Sequence, residues 1–88
     1  MFNRITLGVL KRLFRGGYWG RRPINFDDLY AGVPKHVPKR DFMKACKSLV
    51  AKQLLIQKPG EFGPRFGLNP RKKGEIEEII QGFNSKSW

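Results

Sequence analysis

Acidic residues are scarce in this chain. Asp and Glu number 7 against 18 Lys and Arg over 88 residues, a formal charge of +11 with the single histidine neutral. Such an excess points away from a small neutral substrate and towards a polyanion: DNA, RNA or an acidic membrane surface. Cysteine is nearly missing too. The lone Cys46 excludes an internal disulfide framework and leaves a reducing, intracellular setting as the expectation. One cysteine and one distant histidine are too few ligands for zinc within one chain, so neither metal nor other cofactor is expected. Long apolar runs are also lacking, and nothing is expected to span a bilayer. Met1 to Leu13 carries Arg4 within it and Lys11 and Arg12 near its end, unlike the ordered regions of a secretory signal. A cytoplasmic protein is expected, with no membrane and no small-molecule substrate.

What is present suits one folded domain over residues 1–88. The chain is 40% hydrophobic and 28% charged, a balance unlike that of disordered tails. At this size a chain buries only roughly 60% of its unfolded surface, enough for one modest core.

Ile5, Val9, Leu10, Leu13 and Phe14 recur at helical spacing and predict a first amphipathic helix over residues 3–15, ended by Gly16 and Gly17. Residues 16–23 are too rich in glycine for regular helix. Ile24 to Ala31 predicts a short helix closed by Gly32, with Asn25 as cap and Asp28 completing a variant capping box. Pro34 and Pro38 frame a turn. Residues 38–53 then carry the clearest helix, with Phe42, Ala45, Cys46, Leu49, Val50 and Gln53 on a buried stripe and Pro38 at the first helical position. Leu54 to Lys58 and Arg65 to Leu68 read as strands around a turn at residues 59–64. Asn69-Pro70 marks a helix start, and Ile76, Ile79, Ile80 and Phe83 give that helix an apolar face. An ordered core over about residues 3–83 is expected, with 84–88 frayed and Trp88 without a place unless at a dimer contact.

The predicted order is helix-helix-helix-strand-strand-helix, an α+β chain. A lone hairpin is marginal in water unless helices pack over it. A helix-turn-helix with a β wing, closed by a terminal helix, meets that requirement.

Catalysis finds little support, and no enzyme is expected. The adjacent Asp27 and Asp28 are better explained by the positive end of a short helix. Glu77 and Glu78 belong to a helix exterior. Cys46 falls on a buried stripe, where cysteine behaves as a small hydrophobe. The glycine-rich stretches lack the spacing of a phosphate-binding loop.

The basic residues form a stronger pattern. Between Lys35 and Lys73 the only acids are Asp41 and Glu61. Arg40, Lys44 and Lys47 fall together on the side of the third helix opposite its apolar stripe, where a recognition helix would face the major groove. Lys39 and His36 lie at that helix start, and Lys58 and Arg65 flank the wing. One arginine on the groove face, without Asn or Gln beside it, favours backbone grip over base reading. Arg71, Lys72 and Lys73 crowd the positive end of the last helix, which a bound phosphate would explain. A second basic region, Arg12, Arg15, Arg21 and Arg22, is interleaved with Tyr18 and Trp19. Basic and aromatic residues together can hold single-stranded nucleic acid, or the two rings can pin an irregular loop onto the core.

Leu29 to Ile80 as a whole resembles small archaeal winged-helix proteins of unassigned biochemical role. The likeness rests on His36-Val37-Pro38-Lys39, Leu49-Val50-Ala51-Lys52-Gln53-Leu54-Leu55-Ile56 and Gly67-Leu68-Asn69-Pro70-Arg71-Lys72-Lys73. Gly17-Tyr18-Trp19-Gly20 looks like theirs as well. The resemblance implies a winged-helix fold with residues 38–53 as recognition helix. Winged helices in general often bind DNA, whereas some bind RNA or serve only as protein-protein modules; for this chain a homodimeric transcriptional regulator is one form the DNA-binding expectation takes. Duplex DNA is therefore the expected partner. An RNA- or ribosome-associated module and a subunit of a larger nucleic-acid complex stand as alternatives.

Overall fold

The computed structural model describes residues 4–82. Helix α1 (Arg4–Gly16) forms where Leu7, Val9, Leu10 and Leu13 return on one face, and all four are buried. It stops at Gly17, whose φ of 71° turns the chain out of the helix. There the Gly17 N–H donates to the Phe14 carbonyl at 3.2 Å and the Tyr18 N–H to the Leu13 carbonyl at 3.0 Å, the paired bonds of a Schellman end.

The segment that follows is irregular but held. The Leu68 N–H donates to the Tyr18 carbonyl at 2.8 Å, and the Gly20 N–H donates to the Leu68 carbonyl at 3.0 Å. It leads into β1 (Ile24–Asn25), a strand missing from the predicted order. Two residues show no alternation, and their partner lies far along the chain.

Helix α2 (Phe26–Ala31) begins at once. Asn25 stands at its N-cap, but the side chain makes no capping bond, so the predicted capping box does not form. Its Oδ1 instead accepts from Arg65 Nε at 3.0 Å. Asp27 and Asp28 do stand in the first turn, where the helix dipole favours carboxylates.

Helix α3 runs Lys39–Ala51, shorter at both ends than the predicted 38–53. Pro38 is its N-cap in extended conformation, not its first helical residue. Gln53 is exposed and sits past the end at φ 65°, off the buried stripe where it was expected. The Gln53 N–H donates to the Val50 carbonyl at 2.9 Å and the Leu54 N–H to the Leu49 carbonyl at 3.0 Å, a second Schellman end.

Strands β2 (Leu55–Lys58) and β3 (Arg65–Leu68) form the predicted hairpin. β3 is nonetheless the central strand, in the order β1-β3-β2 with both pairings antiparallel. Ile24 and Gln57 flank Phe66, while Asn25 and Lys58 flank Arg65. Phe66 and Leu68 are buried on one face, and Gly67 is set where segment 18–20 comes closest. A Cβ at Gly67 would lie 2.8 Å from the Trp19 carbonyl oxygen, so a side chain has no room there.

Asn69 caps the last helical stretch as its sequence suggests, its side chain accepting from the Arg71 N–H at 3.1 Å. The first turn, Pro70–Lys72, is a tight 3-10 turn, and α4 (Lys73–Gly82) is the regular helix. Asn3, Phe83 and segment 84–88 with Trp88 lie outside the described residues.

The described chain is thus α+β, four helices on a small three-stranded antiparallel sheet. Leu10, Leu13, Leu29, Phe42, Cys46, Leu49, Phe66 and Ile76 share one core. Within it Phe26 lies 6.1 Å from Tyr30, 5.6 Å from Phe42 and 6.1 Å from Phe66 between ring centroids, which keeps α2 pinned to α3 and the sheet. No described helix is long and apolar enough to cross a membrane.

Candidate functional site

With Phe42, Ala45, Cys46 and Leu49 buried, α3 turns its other side outward. Arg40, Lys44 and Lys47 are all exposed on that side, and no described carboxylate pairs with any of them. They form a cationic ridge on a regular helix, the geometry their spacing predicts. Lys39 is also exposed but is drawn towards α2. Its Nζ lies 3.4 Å from Asp27 Oδ1, with both side chains more than half exposed (61% and 67%), and 5.8 Å from the centre of the Phe26 ring. An ion pair so exposed contributes little to stability. His36 is exposed in the turn before α3.

The hairpin residues have internal work. Lys58 and Arg65 are direct cross-strand neighbours, an unfavourable pairing of like charges. The two side chains part. Lys58 Nζ spans β3 to donate to the Gly20 carbonyl at 2.8 Å, and Arg65 donates through Nε to Asn25. At the hairpin tip Phe62 is 75% exposed, beside Glu61 and between Gly60 and Gly63. The sequence pattern gave Phe62 no role, because a lone aromatic in a turn carries no periodic signal.

At the start of the last helical stretch Arg71 and Lys73 are exposed and Lys72 is half-buried. The Arg71 N–H already binds the Asn69 side chain, and the Lys72 N–H donates to the Asn69 carbonyl at 2.9 Å. Two of the N–H groups that a phosphate would use there are therefore occupied.

In the second basic region Arg15, Arg21 and Arg22 are exposed, whereas Tyr18 and Trp19 are half-buried. Trp19 packs edge-on against Phe14, with ring centroids 6.1 Å apart. Tyr18 lies over Gly16, where a Cβ would run into its ring. Arg12 is half-buried: its Nε donates to the Leu29 carbonyl at 3.2 Å, and its guanidinium covers Gly32.

Arg12 and Arg65, read from the sequence as members of different sets, meet at one place. Together with Tyr18, Pro23, Ile24, Asn25 and Asp28 they line a solvent-open cleft of about 460 Å3 between α1, α2 and β1. Sequence reasoning missed Asn25 and Asp28 as lining groups: the β1-β3 pairing sets Asn25 opposite Arg65, and Asp28 follows in the first turn of α2.

Elsewhere the chemistry is sparse. Cys46 is fully buried, and burial pushes its thiol up to about 12 from an ordinary 9.0. A thiol held protonated is a poor nucleophile. Among the described residues no group of three or more His, Cys, Asp or Glu side chains could hold a metal ion. Searches against protein-family models, curated proteins and solved structures find no match to this chain.

Proposed function

We propose that this chain is a winged-helix nucleic-acid-binding domain that docks α3 on duplex DNA and lays its β2-β3 wing alongside. The observation that carries this reading is the ridge of Arg40, Lys44 and Lys47, exposed, unpaired and on a helix whose opposite side is core. The element order supports it: a short helix, a turn at residues 32–38, a longer helix and a hairpin. A helix of this kind presents cations to both walls of the major groove, while the groove width admits it without unfolding anything. With lysines dominating the ridge, binding is mainly to phosphate and weakly selective for sequence.

Such binding releases counterions and falls steeply with salt. Changing Lys44 and Lys47 together to Ala keeps the circular dichroism spectrum, because both side chains are exposed. It lowers duplex affinity and reduces the slope of log K against log salt by about two. The test is a titration of duplex DNA and structured RNA of equal length and charge, with wild type and double variant, across salt concentrations. A folded double variant that binds with unchanged affinity and slope removes α3 as the contact surface. An RNA preference instead moves the reading to Arg15, Arg21 and Arg22, which are exposed around the half-buried Trp19.

A further inference from the structure

The cleft between α1, α2 and β1 has a construction that the α3 reading does not use. Arg12 and Arg65 are each fixed by a single Nε bond, one to the Leu29 carbonyl and the other to Asn25 Oδ1. The terminal N–H groups of both guanidiniums have no partner among the described residues. Neither arginine forms an ion pair with Asp28, although Asp28 lines the same cleft. The third feature is Tyr18, whose backbone is bonded on both sides, N–H to the Leu13 carbonyl and carbonyl to the Leu68 N–H. Its ring rests on the Cα of Gly16. Two anchored guanidiniums, a seated aromatic ring and a free carboxylate therefore border one open cleft.

We propose that this cleft is a binding site for a nucleotide, with its phosphate on Arg12 and Arg65 and its base against Tyr18. Guanidinium forks match phosphate oxygens bidentately, and anchoring through Nε leaves the fork free while removing much of its rotamer entropy. A base stacks on an aromatic ring whatever its identity. Asp28 sets the ligand class. A carboxylate in the cleft repels a bare anion but accepts from the amino or imino N–H groups of a base, so the site prefers a nucleotide to inorganic phosphate. The volume, about 460 Å3, falls within the range of small-ligand sites. The same chemistry is offered by a free mononucleotide and by an unpaired nucleotide within a strand.

The test follows backbone and arginine side-chain NMR resonances of the full chain. The probes are the four nucleoside 5′-monophosphates, a single-stranded trinucleotide, inorganic phosphate and a nucleoside. The expected result is saturable shifts at Tyr18, Ile24, Asn25, Asp28 and the Nε groups of Arg12 and Arg65, strongest for the phosphorylated nucleotides. Changing both Arg12 and Arg65 to Lys keeps the net charge, so generic attraction is unchanged. It raises the concentration for half-saturation about tenfold through loss of the forked contacts. Should that pair disturb the fold, Asp28→Ala, on an exposed residue, gives a separate reading: the preference for nucleotide over inorganic phosphate narrows, and what is left is the stacking on Tyr18. Tighter binding of the mononucleotide identifies a free ligand, and tighter binding of the trinucleotide identifies a strand. The proposal is overturned if inorganic phosphate shifts the cleft as strongly as the nucleotides, if shifts spread over α3 and α4 without saturating at the cleft, or if a folded Arg-to-Lys pair binds unchanged. The Lys44/Lys47 double variant leaves the cleft shifts in place, so failure here and failure of the α3 reading are separate results.

Discussion

Helices α1 and α3 end with the same pair of hydrogen bonds, yet Gly17 holds the left-handed position in one and Gln53 in the other. A side chain in that conformation brings Cβ against its own backbone, which glycine avoids. The bonds that use Gln53 are all made by its main chain. Its N–H goes to Val50, and its carbonyl accepts from Asn69 Nδ2 at 2.8 Å, tying the end of α3 to the start of the last helix. Replacing it with glycine keeps every one of these. Gln53→Gly is therefore expected to stabilise the fold by about 0.5–1 kcal/mol, after the added freedom of the unfolded chain is deducted. Thermal unfolding should show a Tm rise of about 2–8 °C. A fall in Tm would mean that the glutamine side chain makes a contact of its own. The misplacement of Gln53 on the buried stripe has the same origin. Periodicity alone continues a helix past its last turn, and only the positive φ reveals the stop.

Among the elements, β1 is least visible in the sequence, and the junction beside it depends on one glycine. α1 and α3 are legible because their apolar residues repeat every three or four positions and their ends carry glycine or proline. β1 has no such pattern: Ile24 and Asn25 become a strand only because β3 arrives beside them. The same arrival takes Asn25 away from capping α2 and gives it to Arg65. Gly67 makes the junction possible by leaving room for the Trp19 carbonyl, and the atoms it would meet are backbone, which cannot swing aside. Gly67→Ala should thus cost about 1–3 kcal/mol by overpacking. It should also weaken protection of the Gly20 and Leu68 amides from hydrogen exchange more than that of α3. Equal loss of protection everywhere would show that the junction is not a separate unit.

At the scale of the molecule, a single core makes unfolding one cooperative event, and Cys46 connects that event to pH. Burial favours its neutral thiol, so its pKa of about 12 in the fold exceeds the 9.0 of an exposed cysteine. The stabilising contribution is complete below pH 9 and is lost as pH rises towards 12. Urea midpoints measured across that interval should fall, and Cys46→Ala, although weaker at neutral pH, should lose less of its midpoint over the same range. The candidate sites differ in legibility for a reason of the same scale. Arg40, Lys44 and Lys47 lie within two turns of one helix, so local spacing sufficed to group them. Arg12 and Arg65 come to one cleft only in the folded chain, and nothing near either residue announces the other.

The position of β3 also governs when the sheet can exist. Translation produces α1, β1, α2, α3 and β2 before Arg65 to Leu68 appear, yet β1 pairs only with β3, and segment 18–20 makes its sheet bonds to Leu68. Until that tetrapeptide leaves the ribosome, the earlier strands have no partner and Ile24, Leu55 and the Trp19 segment wait unassembled. Helices can form as they emerge, but the sheet closes late, in a step that joins segment 18–25 to β2 and β3 at once.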